Sequence, residues 1–246
     1  MSPSLQPSLD AAGWPAGPFA VLDLETTGVD PATARIVELA LLVDDGAGHL
    51  RDLYAGLVDP GAEVEIPPGA SAVHGITRER LEAEQAPPAA EVLPAVHVHL
   101  HTIQAEGWPL VIYNATYDWP LLAAELRRID PALTLPDVVL LDPLVLDRHV
   151  DRYRKGKRTL ETACQVYGVT LTDAHSARAD AVASAAVARA LVGRYPELAA
   201  LELAQLTEVQ VRAHASWRDS FNAYLKRIAA DRPPVRGTWP GLERTG

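Results

Sequence analysis

The chain is short of cysteine and of lysine: its 246 residues include one cysteine, Cys164, and three lysines, Lys155, Lys157 and Lys226, beside 19 arginines. A single thiol excludes an intramolecular disulfide and any cysteine-based zinc site, and it fits a reducing cytoplasm. No apolar run approaches the ~18 residues of a membrane span, so no membrane contact is expected. The first eighteen residues hold no Lys or Arg and no sustained apolar stretch, which speaks against a secretory leader. Internal repeats are absent from the sequence. Positive charge is scarce too: 22 Lys and Arg against 32 Asp and Glu leave a net −10. That balance argues against a chain that coats nucleic acid by bulk attraction, though not against one whose acids gather around metal ions. With 48% hydrophobic and 22% charged residues, wholesale disorder is excluded, and the length suits one large α/β domain or a smaller one with an appendage.

One segment runs against the acidic average. Residues 147–158, DRHVDRYRKGKR, hold six Lys or Arg against two Asp, leaving the remainder at −14 (16 basic against 30 acidic residues). A solvated loop is the ordinary reading of such a run. The alternative is a basic strip that touches a backbone phosphate or two.

Residues 1–17, rich in Ser, Pro, Gly and Ala, read as a loose N-terminal tail. Phe19 to Leu24 is a buried-strand pattern that runs into the turn residues Thr26-Thr27-Gly28. Arg35 to Val43 and Leu50 to Val58 are further strands around the hairpin signal Asp44-Asp45-Gly46. A Pro/Gly-rich loop and a short helix near Arg78 follow. Ala89 to Ala105 keeps helical spacing. Leu110 to Tyr113 and Val138 to Leu141 read as strands, and Trp119 to Ile129, Thr159 to Tyr167 and Ser176 to Val192 as helices. Three strands followed by helices alternating with strands indicate a three-layer α/β domain with a mixed sheet over residues 18–194. Residues 195–230 form a helical C-terminal extension, and 231–246 an irregular tail.

Acidic side chains carry the chemistry. Asp23-Leu24-Glu25-Thr26-Thr27-Gly28 closes the first strand, where residues two apart share a face, so Asp23 and Glu25 point together and Leu24 points away. Two carboxylates held close repel unless a proton or cation lies between them, and Mg²⁺ and Mn²⁺ prefer such oxygen ligands. At average residue frequencies D-x-E-[ST]-[ST]-G arises on the order of once per thousand chains. Asn114-Ala115-Thr116-Tyr117-Asp118 directly follows a strand, although Asp118 before Trp119-Pro120 is also a plain helix N-cap. His175 and Asp180 lie five residues apart, ~500° on a helix, so they can share a site only with His175 on the loop and Asp180 in the first turns.

In this order, the four segments resemble the DEDDh exonucleases, 3′–5′ nucleases of the ribonuclease H-like superfamily. That group includes the proofreading epsilon subunit of bacterial DNA polymerase III, oligoribonuclease and several RNA-trimming enzymes. The resemblance spans about residues 18–192 and covers D-x-E-T-T-G at 23–28, V-H-G-I-T at 73–77, N-x-x-Y-D at 114–118 and H-x(4)-D at 175–180. It implies a ribonuclease H-like fold with a mixed five-stranded sheet flanked by helices. It also implies two divalent ions, Mg²⁺ or Mn²⁺, one held by Asp23, Glu25 and Asp180 and one by Asp23 and Asp118, with His175 as general base. Substrate contacts are then expected at Thr26, Thr27 and Gly28 on the terminal sugar, at His74, Gly75 and Ile76, at Asn114, and at Arg154, Lys155, Lys157 and Arg158 as a phosphate clamp. Two departures stand out: Tyr117 where Phe is commoner, and Gly69 where several relatives carry an acid.

The implied activity is release of nucleoside 5′-monophosphates from the 3′ end of single-stranded nucleic acid, DNA before RNA, in the cytoplasm and in DNA replication and repair. The alternatives are a polymerase-associated proofreading or interaction subunit and an RNA-trimming exoribonuclease. His97, His99 and His101 are read as a helical stripe that divides the trio rather than as a zinc site, and Glu38 and Asp142 as strand-end or helix-cap acids. Trp217, Phe221 and Leu225, at i, i+4 and i+8, are read as core packing before a nucleotide-stacking platform.

Overall fold

The computed structural model describes residues 14–172, 175–228 and 232–241. Strands β1 (Phe19–Thr26), β2 (Ile36–Asp44) and β3 (Leu50–Leu57) form an antiparallel meander. The short strands β4 (Leu110–Val111) and β5 (Leu140–Leu141) add in parallel beside β1, giving the order β3-β2-β1-β4-β5. This is the expected five-stranded mixed sheet. Alternation assigns the two faces. Ala20, Leu22 and Leu24 of β1 join Leu39, Leu41 and Val43 of β2 beneath α3 (Ala89–Ala105) and α4 (Ala115–Ile129). Phe19 and Val21 join Ala40 and Leu42 on the opposite face, beneath α7 (Ala177–Arg194). The buried side of α7 is built largely of Ala177, Ala181, Ala185 and Ala188, whose small side chains let the helix lie close on the strands.

Several elements depart from the sequence pattern. The stretch read as a Pro/Gly loop contains α1 (Pro68–His74), which begins with Pro68 in the first turn, where a missing N–H costs nothing. Past α2 (Arg78–Ala83), α4 starts at Ala115 rather than Trp119, so Asp118 lies inside the first turn and is not the N-cap; Asn114 is, in a left-handed conformation. Part of the basic run is helical: α5 covers Pro143–Val150 and precedes α6 (Leu160–Tyr167). The Asp142-Pro143 pair is its start signal, and the Asp142 side chain accepts from Leu144 N–H and Val145 N–H.

Segments outside the sheet-and-helix unit pack onto it from both sides of the sequence, at Trp14, in 196–228 and at Trp239. The expected N-terminal tail lies outside the described residues up to residue 13, but Trp14 is buried against Phe19, Val111 and Val192. Beyond residue 195, α8 (Pro196–Ala199) joins the core beneath α7 through buried Leu198, and α9 (Leu203–Ile228) packs back through buried Leu206 and Gln210. The Gln210 side chain donates to Leu140 O and accepts from Asp142 N–H. Trp239, in the segment read as irregular tail, is 5% exposed and joins the core beneath α3 and α4. Among the described residues no helix is long and apolar enough to cross a membrane.

Candidate active site

The period of two that buries Phe19 and Val21 continues along β1 to Asp23 and Glu25, so both acids emerge on the α7 face while Leu24 packs on the other. Glu38 lies opposite Glu25 in the β1–β2 register. Its carboxylate accepts from Ala177 N–H at 3.1 Å, capping α7 where the Ser176 side chain does not. A register shift between Glu25 and Thr26 ends the pairing at this point and turns the chain into Thr26-Thr27-Gly28. Asp180 comes from the first turn of α7. His175, on the preceding loop with φ of +72°, reaches the same place. Ligating atoms of Glu25, His175 and Asp180 lie within 4.8 Å of one another.

The fourth carboxylate arrives from the other layer. Asp142, fully buried, accepts from Asn114 N–H at 3.0 Å and Ala115 N–H at 2.9 Å, and from the Trp239 indole at 3.2 Å. This anchors the start of α4 and brings Asp118, itself buried, to the carboxylates of β1. Burial, then the charges of Asp118, Asp180, Glu25 and Glu38, holds Asp23 well above the usual carboxylate range. Burial and then Asp180, Glu38 and Asp118 push Glu25 to about 8. Asp118 is raised by burial first, with Asp142 adding to it. Asp180 is raised by burial and eased by His175. Acids that raise one another in this way are short of positive charge. The Asp180 Oδ1 atom is also buried without a hydrogen-bond partner. An all-oxygen donor set with one imidazole at its edge suits a hard divalent cation, and Asp23, Glu25, Asp118 and Asp180 are the residues that would hold it.

Beside the carboxylates lies a pocket of about 640 Å³ bounded by Thr26, Thr27, Gly28, His74, Asn114 and Tyr117, with Gly69 on its wall. Its floor is organised by the domain itself. Thr27 Oγ1 accepts from Arg35 N–H at 2.9 Å. The Tyr117 hydroxyl bonds Thr26 Oγ1 at 2.6 Å and donates to Gly28 O, so it pins the turn; this positioning role, invisible in sequence, is what a Phe would lack. His74 Nδ1 accepts from Ile76 N–H, and its Nε2–H faces Thr26 O at 3.3 Å, so the ring braces the turn from below. Gly75 is exposed and ends α1 with φ of +70°.

Two sets of expected substrate residues are placed differently. Ile76 is fully buried among Val37, Leu57 and Leu81 and faces the core, not the pocket. Arg154 and Arg158 turn inward onto the buried Asp147, at 2.5 and 2.6 Å, so these guanidinium groups staple the loop after α5 instead of facing solvent as a clamp. Lys155 and Lys157 remain exposed. The histidine stripe is helical: His97 and His101 touch at 3.1 Å while His99 stands apart.

The RNase_T exonuclease family model matches residues 20–188, which contain every one of these carboxylates. The chain belongs to this exonuclease family. Over those residues it carries the domain of the DEDD exonucleases of the ribonuclease H-like superfamily. Among its relatives, DNA polymerase III PolC-type of Caldanaerobacter subterraneus subsp. tengcongensis is 26% identical over 229 residues, covering 93% of this chain and 15% of the polymerase. The chloroplastic/mitochondrial exonuclease DPD1 of Arabidopsis thaliana is 31% identical over 169 residues, covering 65% of this chain and 51% of DPD1. The chain therefore spans about half of DPD1 and 15% of the polymerase. E. coli Exonuclease I, solved in complex with a dA16 oligonucleotide, shares the fold with a TM-score of 0.64 at 23% identity, over 74% of this chain and 42% of that one.

Proposed function

We propose that the protein is a metal-dependent 3′–5′ exonuclease of the DEDDh type that removes nucleoside 5′-monophosphates from single-stranded DNA. The observation that carries this reading is the meeting of Asp23, Glu25, Asp118, Asp180 and His175 at one sheet edge, beside a pocket sized for a nucleotide. Asp23, Glu25 and Asp180 would hold one Mg²⁺ or Mn²⁺, and Asp23 with Asp118 a second. Such cations, when bound, compensate charge on the phosphoryl group. His175, exposed and beside Asp180, would take a proton from the attacking water at a ring nitrogen. The pinned Thr26–Gly28 turn offers backbone groups to the terminal sugar, and Asn114 borders the same pocket. Lys155 and Lys157 face the phosphates of the incoming strand. The DNA-bound state of E. coli Exonuclease I supports DNA as substrate.

A second reading is supported by the PolC-type relative, which aligns with 93% of this chain: the exonuclease serves as a proofreading module associated with a DNA polymerase in replication and repair. An RNA-trimming role is the third. One panel separates them: 5′-labelled single-stranded DNA, mismatched duplex DNA and short RNA, each with Mg²⁺, Mn²⁺ or chelator. Shortening of the DNA from its unlabelled end, abolished by chelator and by Asp23→Ala, is the expected result. Undiminished cleavage in chelator refutes the mechanism, preference for RNA favours trimming, and a tight polymerase complex without cleavage favours the interaction role.

A further inference from the structure

A groove of about 920 Å³ runs between the segment 148–159 and α9. One wall carries Arg148, Arg152 and Lys157; the other is the Trp217 and Phe221 face of α9. These two rings, read from sequence as core, are only half-buried and stack offset-parallel at 5.6 Å, while Leu225 of the same stripe is buried. The Arg148 guanidinium lies 3.8 Å from the centre of the Trp217 ring. Among the described residues it has no ion-pair partner and no hydrogen bond, in contrast to Arg154 and Arg158 a few residues on. A guanidinium held over an indole by its π face can keep N–H donors free for a phosphate. The groove also sits at the right edge of the sheet. Strands β1, β4 and β5 are parallel, so Glu25, Asn114 and Asp142 follow one another along one edge, and α5 rises from Asp142. Tyr113, the residue before Asn114, donates its hydroxyl to Arg158 O at 2.9 Å and ties the basic loop to that edge.

We propose that this groove carries the phosphodiester backbone of the single strand whose 3′ end enters the carboxylate pocket, with Arg148, braced by Trp217, as its phosphate-binding fork and Arg152 and Lys157 as flanking cations. The proposal rests on the exonuclease reading for the polarity of the strand, but not for the groove's preference for a polynucleotide. A cationic channel with aromatic walls is the general form of a sequence-tolerant single-strand site. It also gives a chain of net charge −10 a place for a polyanion: among the described residues the groove is lined by Arg148, Arg152 and Lys157 and by no Asp or Glu side chain, the nearby Asp147 being taken up by Arg154 and Arg158.

The test titrates the whole protein in chelator with 5′-fluorescein-labelled dT4 and dT12, reading anisotropy at roughly 50 to 200 mM salt. The wild type is expected to bind dT12 more tightly than dT4. Arg148→Gln should weaken dT12 roughly tenfold, as for a lost charge-assisted contact, and flatten the salt slope by ~0.7, with dT4 little changed. Lys157→Gln, on the exposed loop, should act in the same direction by a smaller factor and serves if Arg148→Gln disturbs folding by circular dichroism. Unchanged dT12 affinity and slope in the folded variants overturn the proposal. So does tight binding of a Glu-rich peptide that dT12 fails to displace, which would assign the groove to an acidic protein partner. Hydrolysis of thymidine 5′-(p-nitrophenyl phosphate) by the wild type with Mn²⁺ is followed in parallel. Hydrolysis without Arg148-dependent dT12 binding removes the groove and leaves the exonuclease reading. Arg148-dependent binding without hydrolysis does the reverse.

Discussion

Removing the charge of Glu25 should stabilise the metal-free protein and abolish much of its response to metal. Glu25 is displaced from 4.5 to about 8 by burial and by Asp180, Glu38 and Asp118. The folded state therefore binds a proton that the unfolded chain has already lost between those two values, and stability falls as pH rises through that window. At ~1.4 kcal/mol per pH unit the whole displacement is worth ~5 kcal/mol. Glu25 is only half-buried and shares its repulsion with three other acids, so about 2 kcal/mol is the expected cost at pH 8. For a chain of this length that is a melting temperature lower by ~4–8 °C in chelator at pH 8 than at pH 5.5. At the proposed site Mn²⁺ would bind the folded state and should recover that loss, more at pH 8 than at pH 5.5, because protons compete with it for the same oxygens. Glu25→Gln should melt above the wild type in chelator at pH 8 and respond less to Mn²⁺. The assay is a thermal melt of both proteins at the two pH values with and without metal. A wild-type melting temperature that is flat or rises with pH in chelator, or a Glu25→Gln protein that melts lower there, refutes the reasoning.

Asp142→Ala should cost about 3 kcal/mol, because it orphans the buried N–H groups at the starts of α4 and α5 and the Trp239 indole; calorimetry should show a melting temperature lower by ~6–12 °C. Trp239→Ala should destabilise by ~3–5 kcal/mol in urea titration, and an exposed tail residue would show almost no change. Tyr117→Phe removes one hydroxyl that pins the Thr26–Gly28 turn, worth ~1 kcal/mol, so KM for a short oligonucleotide should rise about fivefold with kcat little altered; a loss confined to kcat would contradict a positioning role.

Much of the site is legible in sequence because it rests on short-range rules. Strand alternation puts Asp23 and Glu25 on one face, and the loop-then-helix placement of His175 and Asp180 follows from angular spacing alone. The long apolar helix Ala89–Ala105 is readable to the residue for the same reason: its spacing is local. α5 is less visible, since its capping pair Asp142-Pro143 lies in a stretch dominated by charge.

Other assignments depend on partners far along the chain. Whether an arginine of the basic run faces a phosphate or an internal acid depends on where Asp147 is buried, and it takes Arg154 and Arg158 while leaving Arg148 to Trp217, 69 positions away. Ile76 belongs to the core and Trp239 to Asp142 for reasons of packing that no local pattern encodes. Period and spacing settle which side chains share a face within one element, because backbone geometry is the same wherever the element lies. Which faces meet is decided by the burial of apolar surface across the whole chain, and only that convergence turns scattered acids into a pocket and a charged loop into a groove.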